Sequence, residues 1–149
     1  MRATVLIALA GVAVASPASA QDHRLVLTGA GRFAVFADLA SVERHGDVAR
    51  MRAFQVVEPD FTAGGAAYWG GWSWWRFDCA ARTADRLDFA AVREGGAEGP
   101  AMADDAPAYA AAPGGDAAEL LAMGCAPPNR SDATTLDEAV RQGRAALAE

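Results

Sequence analysis

The chain has 149 residues, 52% of them hydrophobic, and sets 13 basic residues against 19 acidic ones for a formal net charge of −6. Every basic residue is Arg, but clustered cations are what displace counterions from a phosphate backbone, so the excess of carboxylates excludes a general nucleic-acid partner. The length suits one domain with a real core.

Residues 1–20 have the layout of a secretory signal: Arg2, an apolar run over 5–14, the helix-ending Pro17, and the small residues Ala18, Ser19 and Ala20. Cleavage is expected between Ala20 and Gln21, leaving residues 21–149 to work in the periplasm or outside the cell. A retained span fits less well, because a membrane helix needs about 20 predominantly apolar residues and Ser16, Pro17 and Ser19 interrupt a shorter run. No membrane span is expected after cleavage.

Beyond a polar start at 21–24, residues 32–38 read as a strand and 39–43 as a second extended piece. Gly46 can supply the positive φ of a tight hairpin, and residues 48–57 follow as the longest strand candidate, with Arg50 and Arg52 alternating with Ala49, Met51 and Ala53. Residues 60–67 read as a loop around Gly64 and Gly65.

All four tryptophans, Trp69, Trp72, Trp74 and Trp75, come next. At a strand's period of two, Trp75, Phe77 and Cys79 point one way and Trp72, Trp74, Arg76 and Asp78 the other. The Cys side is expected to be core. Residues 82–92 form a further strand candidate, and 95–115 read as loop with a short strand near Tyr109. Asp116 is expected to cap a helix, with Glu119 in the reciprocal position, and Pro127-Pro128 ends it. In the tail at 127–149 a second helix begins at a Thr135/Glu138 capping box. Gly143 in its middle costs about 1 kcal/mol against Ala, so this helix is expected to be peripheral.

Cys79 and Cys125 are the only cysteines, and in an oxidising compartment two thiols most often pair. Such a bridge would staple the first helix to the Trp75/Phe77 face and contribute about 4 kcal/mol by the chain-entropy model. A reactive or metal-binding thiol pair lacks support, there being no C-x-x-C spacing.

Indole rings are enriched at binding hot spots, which makes Trp69, Trp72 and Trp74 the candidate recognition surface, unless the tail helix or a second subunit covers them. Asp38, Ser41 and His45 have the residue types of a nucleophilic triad, but alternate strand faces keep them from converging. The acidic loop residues Glu94, Glu98, Asp104 and Asp105 lack the spacing of a calcium loop. Cleavage before Gln21 would expose Gln21, Asp22 and His23, whose amine, amides and imidazole offer a square-planar nitrogen site for Cu(II) or Ni(II).

Asp38-Leu39-Ala40-Ser41-Val42 with Arg44 and Gly46, the strand ending near Val57, Phe77-Asp78-Cys79 followed by Arg82, and Pro113-Gly114-Gly115 leading to a helix that ends at Cys125 form one pattern. Across 33–125 the chain thereby resembles the bacterial surface-adhesin protein E-like family. The resemblance implies a small exported domain with an antiparallel sheet, a packed helix and a Cys79–Cys125 disulfide, and adhesion as its activity.

The expected fold is α+β: an antiparallel sheet of four to six strands (domain 21–126) with a C-terminal helix packed on one face and disulfide-linked to it, then the tail. The expected function is a non-enzymatic exported binding module that needs no cofactor and meets another protein or an envelope component. The alternatives are a self-associating structural protein, with the Trp surface as homodimer interface, and the N-terminal copper or nickel site.

Overall fold

The alternation of apolar and polar residues along 48–57 makes a strand with two distinct faces, and both faces are used. The computed structural model describes residues 22–149. The expected signal at 1–20 and Gln21 lie outside the described residues.

The elements are β1 (Leu25–Ala30), β2 (Ala34–His45), β3 (Val48–Val56), β4 (Thr62–Ala63), β5 (Ala66–Asp78), β6 (Thr83–Arg86), β7 (Asp88–Arg93), β8 (Met102–Ala103), β9 (Tyr109–Ala110), α1 (Asp116–Cys125) and α2 (Leu136–Leu147). They build one antiparallel sheet with the path β1-β2-β3-β5-β6-β9. The β2–β3 hairpin turns at Gly46, with φ +60°, as expected. β3 pairs with β5 along its whole length, from Val48↔Asp78 to Val56↔Gly70.

The far side of β5 is shared. Residues 75–78 pair with β6 and residues 68–72 with β7. At the break, the Trp74 carbonyl accepts from the Leu87 N–H at 2.8 Å, and the Trp74 N–H donates to Asp88 Oδ1 at 2.7 Å. Both backbone groups of Trp74 are thus satisfied where the neighbouring strand bends, as burial requires.

Each helix covers half of one face. On the first face Val35, Ala37, Met51, Trp75 and Phe77 pack beneath Leu120 and Leu121 of α1. On the other, Leu25, Phe36, Phe54 and Trp72 pack with Ala139 and Val140 of α2. A glycine seats each helix. A Cβ at Gly124 would lie 3.1 Å from Phe77 Cδ2 and 3.5 Å from Ala49 Cβ, whereas one at Gly143 would lie 2.9 Å from Val56 Cγ2 and 3.1 Å from Ala34 Cβ. Ala49 and Val56 stand at opposite ends of β3, roughly 20 Å apart at the rise of an extended strand. The two helices therefore sit diagonally, leaving the Val56 end open on the α1 face and the Ala49 end open on the α2 face.

Several expectations are corrected by this arrangement. β1 is a strand that the residue pattern did not announce, and β2 runs unbroken where two pieces are expected, absorbing the change of phase in a bulge between Asp38 and Glu43. The loop at 60–67 contains the short β4, turned back onto β5. Residues 82–92 divide into β6 and β7. Gly115, not Asp116, is the α1 N-cap, and no side chain caps it; Asp116 and Glu119 instead lie in the first turn, where the helix dipole favours carboxylates. At the other end, Arg44 of β2 donates to the Cys125 carbonyl at 2.5 Å.

The tail helix is docked, not peripheral. Its Thr135/Glu138 capping box forms as expected, and Ala139 is fully buried. Gly143 supplies the close approach, so its lost helix propensity secures packing on Val56. Gly143→Ala gains about 1 kcal/mol of propensity but forces a methyl against the stiff Val56 side chain, and overpacking of this kind costs about 1–3 kcal/mol. The expected outcome is a net loss near 1 kcal/mol in urea unfolding; a variant more stable than the parent would show that α2 is free to shift.

Candidate functional site

Asp38 leaves β2 where the strand bulges, so its carboxylate is presented at the mouth of the uncovered half of the α2 face. It is 4% exposed. His23 Nδ1–H donates to Asp38 Oδ2 at 2.8 Å, since an ionised carboxylate only accepts. The N–H groups of Arg24 and Ala40 donate to Oδ1 at 3.2 and 3.1 Å. Ser41 Oγ donates to the Asp38 carbonyl at 2.7 Å and accepts from the Arg52 N–H at 2.8 Å.

These groups line a cleft of about 350 Å³, with Asp22, His23, Asp38, Ser41, Arg52 and Trp74 in its walls. Arg52 and Trp74 in the wall belong to a ladder of stacked cations and indoles. The Arg50 guanidinium lies 4.1 Å from the Trp74 ring centroid, and that of Arg52 lies 4.5 Å from Trp72 and 5.9 Å from Trp74. Arg52 Nη2 donates to Glu98 Oε1 at 2.6 Å, while its Nε is buried with no hydrogen-bond partner among the described residues.

Burial pushes the Asp38 carboxyl up, but the His23 hydrogen bond, the Arg24 and Ala40 N–H groups and the His23 charge outweigh it and hold the group below the ordinary carboxylate value. A carboxyl depressed in the folded state binds fewer protons than in the unfolded chain, so it stabilises the fold above its unfolded pKa, and that contribution is lost as pH falls through the folded value. Wild type is expected to lose stability below about pH 4. Asp38→Asn is expected to cost about 1–3 kcal/mol at pH 7 and to narrow its gap from wild type at acid pH. Equal gaps at pH 7 and pH 3 in denaturant titrations would contradict the assignment.

The structure separates the tryptophans expected to act together. Trp72 is 3% exposed, packed 4.9 Å from the Phe54 ring and 5.2 Å from that of His23, and so belongs to the core. Trp69 packs against the same cluster. Trp74 belongs to neither core cluster and is half-buried in the cleft wall. Alternation was expected to keep Asp38, Ser41 and His45 apart; the bulge in β2 instead brings Asp38 and Ser41 to one cleft, His45 stays at the far end of the strand, and His23, from the polar start of the chain, lies beside Asp38. Sequence alternation could place Asp38 and Ser41 on β2, but nothing local announces that a residue fifteen positions earlier would complete them.

His23 also bears on the nitrogen chelate. That chelate needs the His23 backbone nitrogen and the imidazole, yet the His23 N–H donates to the Thr134 carbonyl at 3.1 Å and Nδ1–H is held by Asp38. Metal uptake at Gln21, Asp22 and His23 would compete with both bonds. Among the described residues no group of three His, Cys, Asp or Glu side chains is placed to hold a metal ion, and no helix is long and apolar enough to cross a membrane.

Cys79 and Cys125 are bonded, with their Cα atoms 5.7 Å apart. The bond ties the end of β5 to the last residue of α1 and points to an oxidising, non-cytoplasmic environment. Comparison with protein-family models, with curated proteins and with solved structures returns no match for this chain.

Proposed function

We propose that this chain is an exported, non-enzymatic binding module of the periplasm or cell exterior, adhesin-like in role, that meets a protein or envelope component through the His23–Asp38–Trp74 cleft. The observation that carries the reading is Trp74. It is the tryptophan that neither core uses, yet Arg50 and Arg52 hold it in a fixed orientation beside a concave opening. Trp and Arg anchors held rigid at a cleft are what binding hot spots are made of, because little side-chain entropy remains to be lost on association. The half-sheet around it is left open by the diagonal seating of α2.

The test is retention of envelope components by the immobilised, oxidised, processed chain. Wild type is expected to retain a saturable component that Trp74→Ala loses by at least about tenfold, as hot-spot truncation does, and that Tyr109→Ala, on an exposed site elsewhere, retains. No retained component, or equal retention by Trp74→Ala, overturns the reading. Dimerisation that Trp74→Ala abolishes would favour the self-associating alternative.

A further inference from the structure

The open half of the α1 face holds a second cavity, of about 330 Å³, unconnected with the cleft. Its walls include Phe33, Val57, Phe61, Tyr68 and Phe89, and its floor is the backbone of Gly70 and Gly71. The ring of Phe89 packs closely against that floor: a Cβ at Gly71 would stand 2.2 Å from its Cζ. Phe61 is 39% exposed at the mouth. Among the described residues no charged side chain lines the cavity; Gln55 and Tyr68 carry its polar side-chain atoms.

We propose that this cavity binds an uncharged, apolar small molecule of the size of a two-ring aromatic or a short aliphatic chain. Three observations select that occupant. The volume lies within the range of small-ligand sites, about 300–1,000 Å³, and is about twice that of a dry cavity known to take benzene, about 150 Å³. The uncharged lining would leave any ion inside it unpaired, at a prohibitive desolvation cost. Charge is confined to the rim, where the exposed Glu58 and Asp60 flank Val57 and Phe61 in the chain and the exposed Arg32 stacks on Phe33. Aromatic walls suit an aromatic guest, because edge-to-face and offset contacts add to area burial.

The probe is N-phenyl-1-naphthylamine, a neutral fluorophore, titrated against the oxidised chain. Saturable emission at one probe per chain is expected, reduced at least about fivefold in affinity by Ala91→Phe, which fills the cavity, and by Phe61→Ser, which removes a wall at an exposed position. Tyr109→Ser, at an exposed aromatic residue on β9 outside the cavity lining, and Trp74→Ala, in the other cleft, are expected to bind as wild type does. Circular dichroism melts establish that each variant is folded, and Phe61→Ser carries the test where Ala91→Phe does not fold. Non-saturable emission with folded wild type, equal binding by Phe61→Ser, or a wild-type dimer that Phe61→Ser dissociates would overturn the proposal. Loss of binding in Trp74→Ala would likewise overturn it by assigning the probe to the other cleft.

Discussion

Gly70→Ala is expected to lose at least about 4 kcal/mol of stability, in the range reserved for core disruption, and to yield little folded protein. Gly70 has φ +153°, a conformation that residues with a Cβ rarely adopt. A Cβ there would lie 1.7 Å from the Gln55 carbonyl oxygen and 3.2 Å from Val56 Cα. Those are backbone atoms of β3, held in register with β5 by Gln55↔Gly71 and Val56↔Gly70, so relief requires breaking the central pairing of the sheet. A domain with a total of about 5–15 kcal/mol has little left after such a loss. Soluble yield and amide dispersion in a two-dimensional NMR spectrum provide the check; a variant melting within a few degrees of wild type would show that the β3–β5 contact yields cheaply.

The same residue sets the phase of β5. The register to β7 shifts between Tyr68 and Gly70, and this bulge turns Trp69 to the same side as Trp72, against strict alternation. It also leaves Tyr68 and Gly71 on the face of the apolar cavity. One extra residue in a strand thereby assigns two aromatic side chains to different layers.

Removing the disulfide is the second large perturbation. The double variant Cys79→Ala/Cys125→Ala is expected to unfold with about 4 kcal/mol less stability, the loop-closure value for a sequence separation of 46 residues. The loss is expected to be uneven. α1 depends on the bond together with Leu120 and Leu121, whereas α2 has its own seat at Val56 on the opposite face. Hydrogen exchange in α1 is therefore expected to rise well before that in α2. Reductant is expected to reproduce the shift in wild type and to leave the double variant unchanged. A reduced wild type as stable as the oxidised form would mean that α1 packing alone suffices.

The reach of the sequence is clearest at the two helices. Both were legible, because Thr135 with Glu138 spells a reciprocal cap and Pro127-Pro128 spells a stop, each a matter of a few neighbouring residues. The cysteine pair also assigned α1 to the Trp75/Phe77 face, but the seat of α2 was not legible. Gly143 read locally is a defect in helix propensity; against Val56 and Ala34 it is the contact that docks the tail. At α1, Gly115 took the capping place expected of Asp116 because the chain enters the helix one residue earlier.

The candidate cleft divides in the same way. Arg50 and Arg52 share one face of β3, and Trp72 and Trp74 one face of β5, by alternation alone, so a Trp-rich surface could be expected from the residues; the β3–β5 register brings the two together. That Trp72 would be sealed by His23 and Phe54, and that Asp38 would find its partner in His23, depended on bringing the start of the chain across the sheet.

Nearest neighbours and covalent counting alone announce the hairpin at Gly46, the strand at 48–57, the two helices, and a pair of cysteines with only each other to bond. Which half of each face stays open is settled only by how the distant elements pack. Periodicity assigns a side chain to a face of its own strand, but coverage depends on a helix many residues away finding a glycine-sized gap, at Gly124 over Phe77 and at Gly143 over Val56. Those fits are set by distances between backbones, and no local pattern of residues encodes them.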